Sequence, residues 1–310
     1  MRKCSYYIIL FLFIAIACQD NMDINTLQSK SQPVVYCFPT TDDTTKIYIS
    51  SSIPIKGSRI NLDSAYISFE SNGRSEIVHF LKKIESNKLY KLAYYAVGTH
   101  QVGYNISLKV TIKNFPEISA TTTIPATPEV QNIDIDTVSN SDKIYDQIRV
   151  KLKSKQLKDY FAVRIIGLET IYNKDKDSTF YYLHTQEIDT RDEPLLNNFA
   201  KGETAINTDN VFYNNFYIFD NSAFATDSTY TLHLNIQSKS YVSRYKVQLY
   251  HITPEFYRFI KSINDIRNNE MGNYGMSFVQ PSYTNIINGI GVVGGYSMKE
   301  SKWLFPKRKI

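Results

Sequence analysis

The chain has 310 residues, 43% of them hydrophobic, and a formal net charge of +5. So weak a balance argues against nucleic acid or an anionic surface as a partner recruited by bulk charge, and the hydrophobic fraction argues against a disordered chain. Tyr and Phe number 24 and 17 against a single Trp; with abundant Thr, Ile and Val, that composition points to strands.

The chain opens on a basic Met1-Arg2-Lys3, runs through an apolar stretch from Tyr6 to Ala17 and reaches Cys18 after Ala15-Ile16-Ala17. Basic start, apolar run and small residues before a cut site are the parts of a secretory signal. The run is about a dozen residues, short of the roughly 20 needed to span a bilayer. A cysteine at the cut site predicts a lipoprotein, with Cys18 as the lipidation site and residues 1–17 removed. Cys4 leaves with the signal, so Cys37 is the one remaining free thiol, and its strand-like setting reads as a small buried hydrophobe. Residues 18–32 are polar and without pattern, a flexible tether.

Period-two alternation then begins. Pro33–Phe38, 46–50 and 65–69 read as strands, and Asn72-Gly73 reads as a hairpin turn leading into 76–81. Further strands are expected over 89–94, 104–112 and 121–124. Pro125 and Pro128 cannot donate to a sheet ladder, so a module boundary is placed at residues 126/127. Beyond it Ile148, Val150 and Leu152 alternate with charged residues. Phe161, Val163 and Ile165 do the same, as do Tyr230, Leu232, Leu234 and Ile236, and Tyr245, Val247 and Leu249. Phe180 to His184 is rich in aromatics, and 185–210 reads as a long loop. Thr253, Pro254 and Glu255 form a helix start, followed at helical spacing by Phe256, Phe259, Ile260, Ile263 and Ile266.

Several patterns invite a chemical reading and do not carry one. Gly289, Gly291 and Gly294 spell GxGxxG, but no helix pattern follows, so a glycine strand with a close backbone neighbour is expected instead of a dinucleotide site. The histidines show no metal-ligand spacing, and 173–177 lacks the glycine and distal glutamate of a calcium loop. No catalytic, metal or cofactor residue is assigned. The densest aromatic run, 211–219, holds Phe212, Tyr213, Phe216 and Tyr217 as candidate ligand contacts, with cross-strand packing as the competing reading. Asp followed by Ser or Thr and a small or apolar residue recurs, which makes Thr44, Ser64, Thr137, Ser178 and Ser228 candidate O-glycan acceptors; ordinary polar turns are the alternative.

One resemblance runs along most of the chain. It is carried by Pro33–Phe38, Leu62–Ile67, Gly103–Val110, Ala120–Pro125, Phe278–Pro281 and, most specifically, Thr284-Asn285-Ile286-Ile287-Asn288-Gly289-Ile290-Gly291-Val292-Val293-Gly294-Gly295-Tyr296. In these the chain resembles the Bacteroidota lipoprotein family called domain of unknown function 4249, departing from it at Cys37 and Val293. The resemblance implies an outer-membrane lipoprotein found beside TonB-dependent transporters, and implies no catalytic residue.

The expected architecture is mainly β: two antiparallel, immunoglobulin-like β-sandwich modules over 33–126 and 127–310. A short helix near 254–268 and a Gly-rich terminal strand are expected to pack on the second module. The expected function is a non-enzymatic protein anchored in the outer membrane by lipid (palmitate included) on Cys18. It would assist a transporter in capturing a peptide, glycan or other nutrient, without cofactor or nucleic acid. Two alternatives stay open: a structural or adhesive surface protein, and a hydrolase with an unrecognised site.

Overall fold

A computed structural model describes residues 30–41, 44–54, 60–86, 89–140, 143–154, 158–173, 177–196, 216–223, 228–269 and 281–307. Cys18, the signal, most of the tether, Phe212 and Tyr213 lie outside the described residues. The described chain is mainly β with one α-helix.

In the first half the strands are β1 (Pro33–Cys37), β2 (Thr44–Ser51), β3 (Tyr66–Ser71), β4 (Arg74–Glu76), β5 (Val78–Ser86), β6 (Leu89–Val97), β7 (Asn105–Thr111) and β8 (Ile118–Thr123). They form two sheets, β1-β2-β6-β5 and β4-β3-β7-β8. Alternation decides what each buries: Ile67 and Phe69, Ile106, Leu108 and Val110 from one sheet meet Val35, Ile47, Ile49 and Leu92 from the other. The Asn72-Gly73 turn is as expected: both residues have positive φ, 49° and 78°, and link β3 to β4. Cys37 is fully buried, and burial pushes its thiol pKa far up.

The second half contains β9 (Glu129–Asn140), β10 (Lys143–Lys153), β11 (Tyr160–Asn173), β12 (Ser178–Gln186), β13 (Tyr217–Asp220), β14 (Thr229–Gln237) and β15 (Val242–Ile252). The helix α1 (Pro254–Asn268) and strands β16 (Ile290–Val293) and β17 (Tyr296–Glu300) follow. The sheets are β14-β10-β9 and β12-β11-β15-β17, with β13 also on β11. Between them lies a second core, including Ile148, Val150, Phe161, Val163, Leu234 and Val247. The two halves are each sandwich-like.

The Gly-rich strand departs from expectation. It joins no sheet of the second half: β16 pairs in parallel with β1, Val34 opposite Ile290 and Cys37 opposite Val293, and so completes a sheet of the first half. Glycine makes the approach possible. At Gly291, φ is +114° and a Cβ would stand 2.0 Å from the Val35 carbonyl oxygen. At Gly295 a Cβ would stand 1.8 Å from the carbonyl oxygen of Thr123. The surrounding motif supplies the remaining bonds. Asn285 Nδ2 donates to Val293 O (2.8 Å) and Asn285 Oδ1 accepts from Val293 N (3.0 Å); Asn288 Nδ2 donates to Glu117 O (2.9 Å). Gly294 N donates to Cys37 O (3.0 Å) and Tyr296 N to Pro39 O (3.0 Å).

The helix seals the same junction. Its start is where the spacing places it, with Pro254 in the first turn. Thr253 holds the capping position, but its side chain makes no cap bond and instead lies 3.5 Å from the Thr122 hydroxyl. Phe256, Phe259 and Ile260 form a third core with Phe38 of the first half, Val292 of β16, and Tyr160, Phe216 and Tyr250 of the second. Phe256 meets Phe38 with ring centroids 4.7 Å apart, the range in which aromatic pairs add about 0.5–1.5 kcal/mol beyond area burial. His251 Nδ1 and Ser297 Oγ both bond the carbonyl of Ala126 in the connecting segment, at 2.7 and 2.6 Å.

Two substitutions separate close approach from mere turn geometry. Gly295→Ala is expected to cost about 3 kcal/mol, because the Thr123 backbone must move. Gly73→Ala, with open space around its Cβ, is expected to cost about 1 kcal/mol from its positive φ alone. Urea-unfolding midpoints of the two variants against the parent check this order.

Candidate functional site

The outer face of β3, β7 and β8 is polar because alternation sends Ile106 and Thr122 inward and their neighbours outward. Register aligns the outward residues in rows across the strands: Glu70 faces Ser107 and Ser107 faces Thr121, while Asn105 faces Thr123. The first turn of α1 borders these rows with Pro254 and Glu255. Together they line an open, solvent-facing cavity of about 540 Å³ where the two halves meet. Its floor is anchored where the Thr122 hydroxyl accepts from Gly295 N at 3.1 Å. Among the described residues no side-chain hydrogen bond or ion pair engages the carboxylates of Glu70 and Glu255 or the side chains of Asn105, Ser107 and Thr123, and all five residues belong to the lining. Two anions with hydroxyls and an amide suit a polyhydroxylated or amine-bearing ligand and repel phosphate or carboxylate.

Two histidine–carboxylate contacts lie deeper. His100 is buried, with Thr45 Oγ1 at 3.2 Å from Nε2 and Ser71 Oγ at 3.1 Å from Nδ1. Glu76 Oε1 is 3.3 Å from the same Nδ1. The residue types are those of a Ser–His–acid relay, but the arrangement is not: Ser71 and Glu76 compete for one nitrogen, whereas a relay places nucleophile and acid on opposite nitrogens. The hydroxyl on the other nitrogen belongs to Thr45, which is wholly buried. The second contact, His251 Nε2 to Asp159 Oδ1 at 3.2 Å, is held among Ser154, Asn221 and the Ala126 carbonyl. It fastens the connecting segment. Among the described residues no group of three or more His, Cys, Asp or Glu is placed to hold a metal ion.

The candidate aromatics divide. Phe216 and Tyr217 are buried, and this corrects their reading as ligand contacts: successive residues of a strand covered on both faces enter different cores. Phe216 packs on Tyr250 at 4.7 Å. The Tyr217 hydroxyl accepts from Ile188 N at 2.8 Å, and burial pushes its pKa up to about 12. Exposed aromatics stand elsewhere, singly at Tyr66, Phe80, Tyr241 and Phe305 and clustered on β12, where Phe180, Tyr181, Tyr182 and Leu183 are 36%, 66%, 44% and 64% exposed. Of the candidate acceptors, Thr44 and Ser64 are exposed, whereas Thr137, Ser178 and Ser228 are half-buried. The Thr137 and Ser178 hydroxyl oxygens are themselves covered. The polar lining residues carried no signal of their own: Glu70, Asn105, Ser107, Thr121 and Thr123 are ordinary outward polar residues of strands, and only the folded chain brings the first turn of α1 to the same lining.

A family profile described as "Domain of unknown function (DUF4249)" matches residues 19–302. The chain belongs to that family. No curated protein matches significantly. Two solved structures share remote similarity with this DUF4249 chain. One is the Yersinia pseudotuberculosis adhesin InvE, 11% identical over 71% of this chain, with a TM-score of 0.19; the chain spans about half (54%) of that protein. The other is described as BspA_C_mut, 10% identical over 73% of this chain and 95% of that one, with a TM-score of 0.16. At those TM-scores neither similarity informs fold or function.

The His100 cluster predicts a pH dependence. Burial lowers the pKa of His100, while burial raises that of Glu76 and a Ser71 hydrogen bond partly offsets the rise. Despite the short contact, His100 is therefore neutral at pH 7. Unfolded, it takes up a proton below about pH 6.5; folded, it resists, so its contribution is present above that value and is lost as pH falls towards the lowered one. Glu76 acts in the opposite sense: its contribution is present in acid and lost as pH rises through the raised value. In urea titrations from pH 8 to 5, His100→Gln is expected to lose less stability below pH 6.5 than the parent. An unchanged pH profile would contradict this assignment.

Proposed function

We propose that this DUF4249 protein is a lipid-anchored outer-membrane binding protein that assists a TonB-dependent transporter in nutrient capture, without catalysis. The observation that supports a binding role is the junction cavity, walled by both halves of the chain and lined by polar groups not engaged with other side chains. Its two carboxylates favour a hydroxyl-rich or amine-bearing nutrient, a glycan or a peptide amine, over an anionic one. We read the two sandwich-like halves as immunoglobulin-like modules. They carry the cavity away from the membrane on the tether that follows Cys18. The anchor we assign is the lipid on Cys18, on the strength of the basic start, the apolar run and the small residues before that cysteine.

A structural or adhesive role is the second reading, and the exposed aromatics of β12 favour it. A hydrolase would need two or three carboxylates or histidines converging in a pocket; both histidine–carboxylate contacts are engaged with structural partners, which leaves Glu70 and Glu255 as the pair that reading would have to use.

Gentle-detergent isolation of the native protein tests the first reading. A co-isolated transporter or retained ligand is expected, and the absence of both would overturn it. Cys18→Ala is expected to move the protein out of the outer-membrane fraction. Replacing Glu70 and Glu255 by Gln is expected to weaken ligand retention at least about tenfold, because each loses a charge-assisted hydrogen bond worth about 1.5–3 kcal/mol.

A further inference from the structure

Every sheet edge exposes unpaired N–H and C=O groups, and proteins commonly shield such edges against pairing with another chain. Among the described residues most edges here are shielded. β5 carries Lys82 and Lys83 and a register shift against β6 between Phe80 and Lys82. β9 carries Glu129, Asp134 and Asp136, and its pairing with β10 shifts at Lys151/Leu152. β14 is capped by Asp189 N donating to Asn235 O (2.8 Å) and by the Glu193 carboxylate, which accepts from His233 N (2.8 Å). β17 ends in Lys299 and Glu300, and β8 is bridged by Ile287. β4, β13 and β16 are only three, four and four residues long, and Asn285 bonds both Val293 N and Val293 O in β16.

β12 is the exception. Its sequence, Ser-Thr-Phe-Tyr-Tyr-Leu-His-Thr-Gln, has no Lys, Arg, Asp, Glu or Pro. Its ladder with β11 runs from Ile165–Gln186 to Asn173–Ser178 without a register shift. Both faces are apolar and open. Phe180, Tyr182 and His184 line one face, with ring centroids 6.4 Å apart between neighbours. Tyr181 and Leu183 line the other. Ile171 and Tyr172 of β11, 47% and 57% exposed, broaden the patch.

We propose that β12 is a self-pairing edge: two copies of this chain join β12 to β12 in antiparallel fashion, making one sheet continuous across the dimer. The strand fits a second copy of itself. It has no charge to repel an identical neighbour, and a two-fold axis perpendicular to the sheet keeps like faces together. With Tyr182 opposite Tyr182, Tyr181 meets Leu183 and Phe180 meets His184, so each cross-strand pair combines aromatic or apolar surface. A single strand pair is small beside a standard interface of about 1,600 Å², so the association is weak in dilute solution and must be sought at high concentration.

The test uses the chain from residue 19 onward, which contains every described element. Sedimentation velocity up to roughly 100 μM, a range that captures micromolar dissociation constants, is expected to show a reversible dimer. Leu183→Lys and Tyr181→Lys, both at highly exposed positions, are expected to weaken it at least about tenfold. Phe80→Lys on the shielded β5 edge is expected to leave it unchanged. Hydrogen exchange of the alternate amides within 179–184 that point away from β11 is expected to slow as concentration rises. A monomer throughout the range, a dimer indifferent to both β12 lysines, or exchange independent of concentration each overturns the proposal.

Discussion

The parallel pairing of β1 with β16 is the constraint on which the rest of the structure depends. It joins Val34–Cys37 to Ile290–Val293, partners that nearly span the fold. Closing so long a loop costs entropy that grows only slowly with length, but it must be offset by contacts made all at once. The chain concentrates them: backbone approach at Gly291 and Gly295, side-chain bonds from Asn285 and Asn288, and a third core in which Phe256 and Phe259 touch residues from both ends. The first half is therefore not a free-standing module. One of its sheets ends in a strand that arrives last in the sequence.

This arrangement also places the cavity. Glu70, Ser107 and Thr123 belong to the first half, and Pro254 and Glu255 to the second. Their meeting requires the lock formed by Thr122, Gly295 and the Ala126 carbonyl. A site shared between halves in this way needs both held in one arrangement, and the buried His251–Asp159 contact is one of the bonds that fasten the connecting segment. A ligand bridging Glu70 and Glu255 would stabilise the same junction by mass action.

Much of the local structure was legible in the sequence. Ile148, Val150 and Leu152 are buried as their alternation requires, Asn72-Gly73 turns where its chemistry allows, and Pro254 opens the helix. The destination of β16 was not legible. A parallel pairing between distant segments has no local periodicity, and its trace was the glycine spacing itself, which correctly signalled a close backbone neighbour without naming it. The aromatic runs show the same limit from the other side. Tyr-Ile-Phe-Asp of β13 and Phe-Tyr-Tyr-Leu of β12 have similar local propensity. One is covered by cores on both faces and the other by neither, and that difference lies in tertiary packing rather than in either segment.

The central claim, that the two halves form one cooperative unit locked by the returning chain end, has two built-in reporters. Trp303, the single tryptophan, lies 4.7 Å from the Arg244 guanidinium in the second half. Cys37, the remaining cysteine in a chain begun at residue 19, is buried in the first. Urea unfolding followed by Trp303 fluorescence and by Cys37 thiol reactivity compares the halves directly. The account predicts coincident midpoints. Reaction of Cys37 at a urea concentration where Trp303 still reports native structure would contradict it.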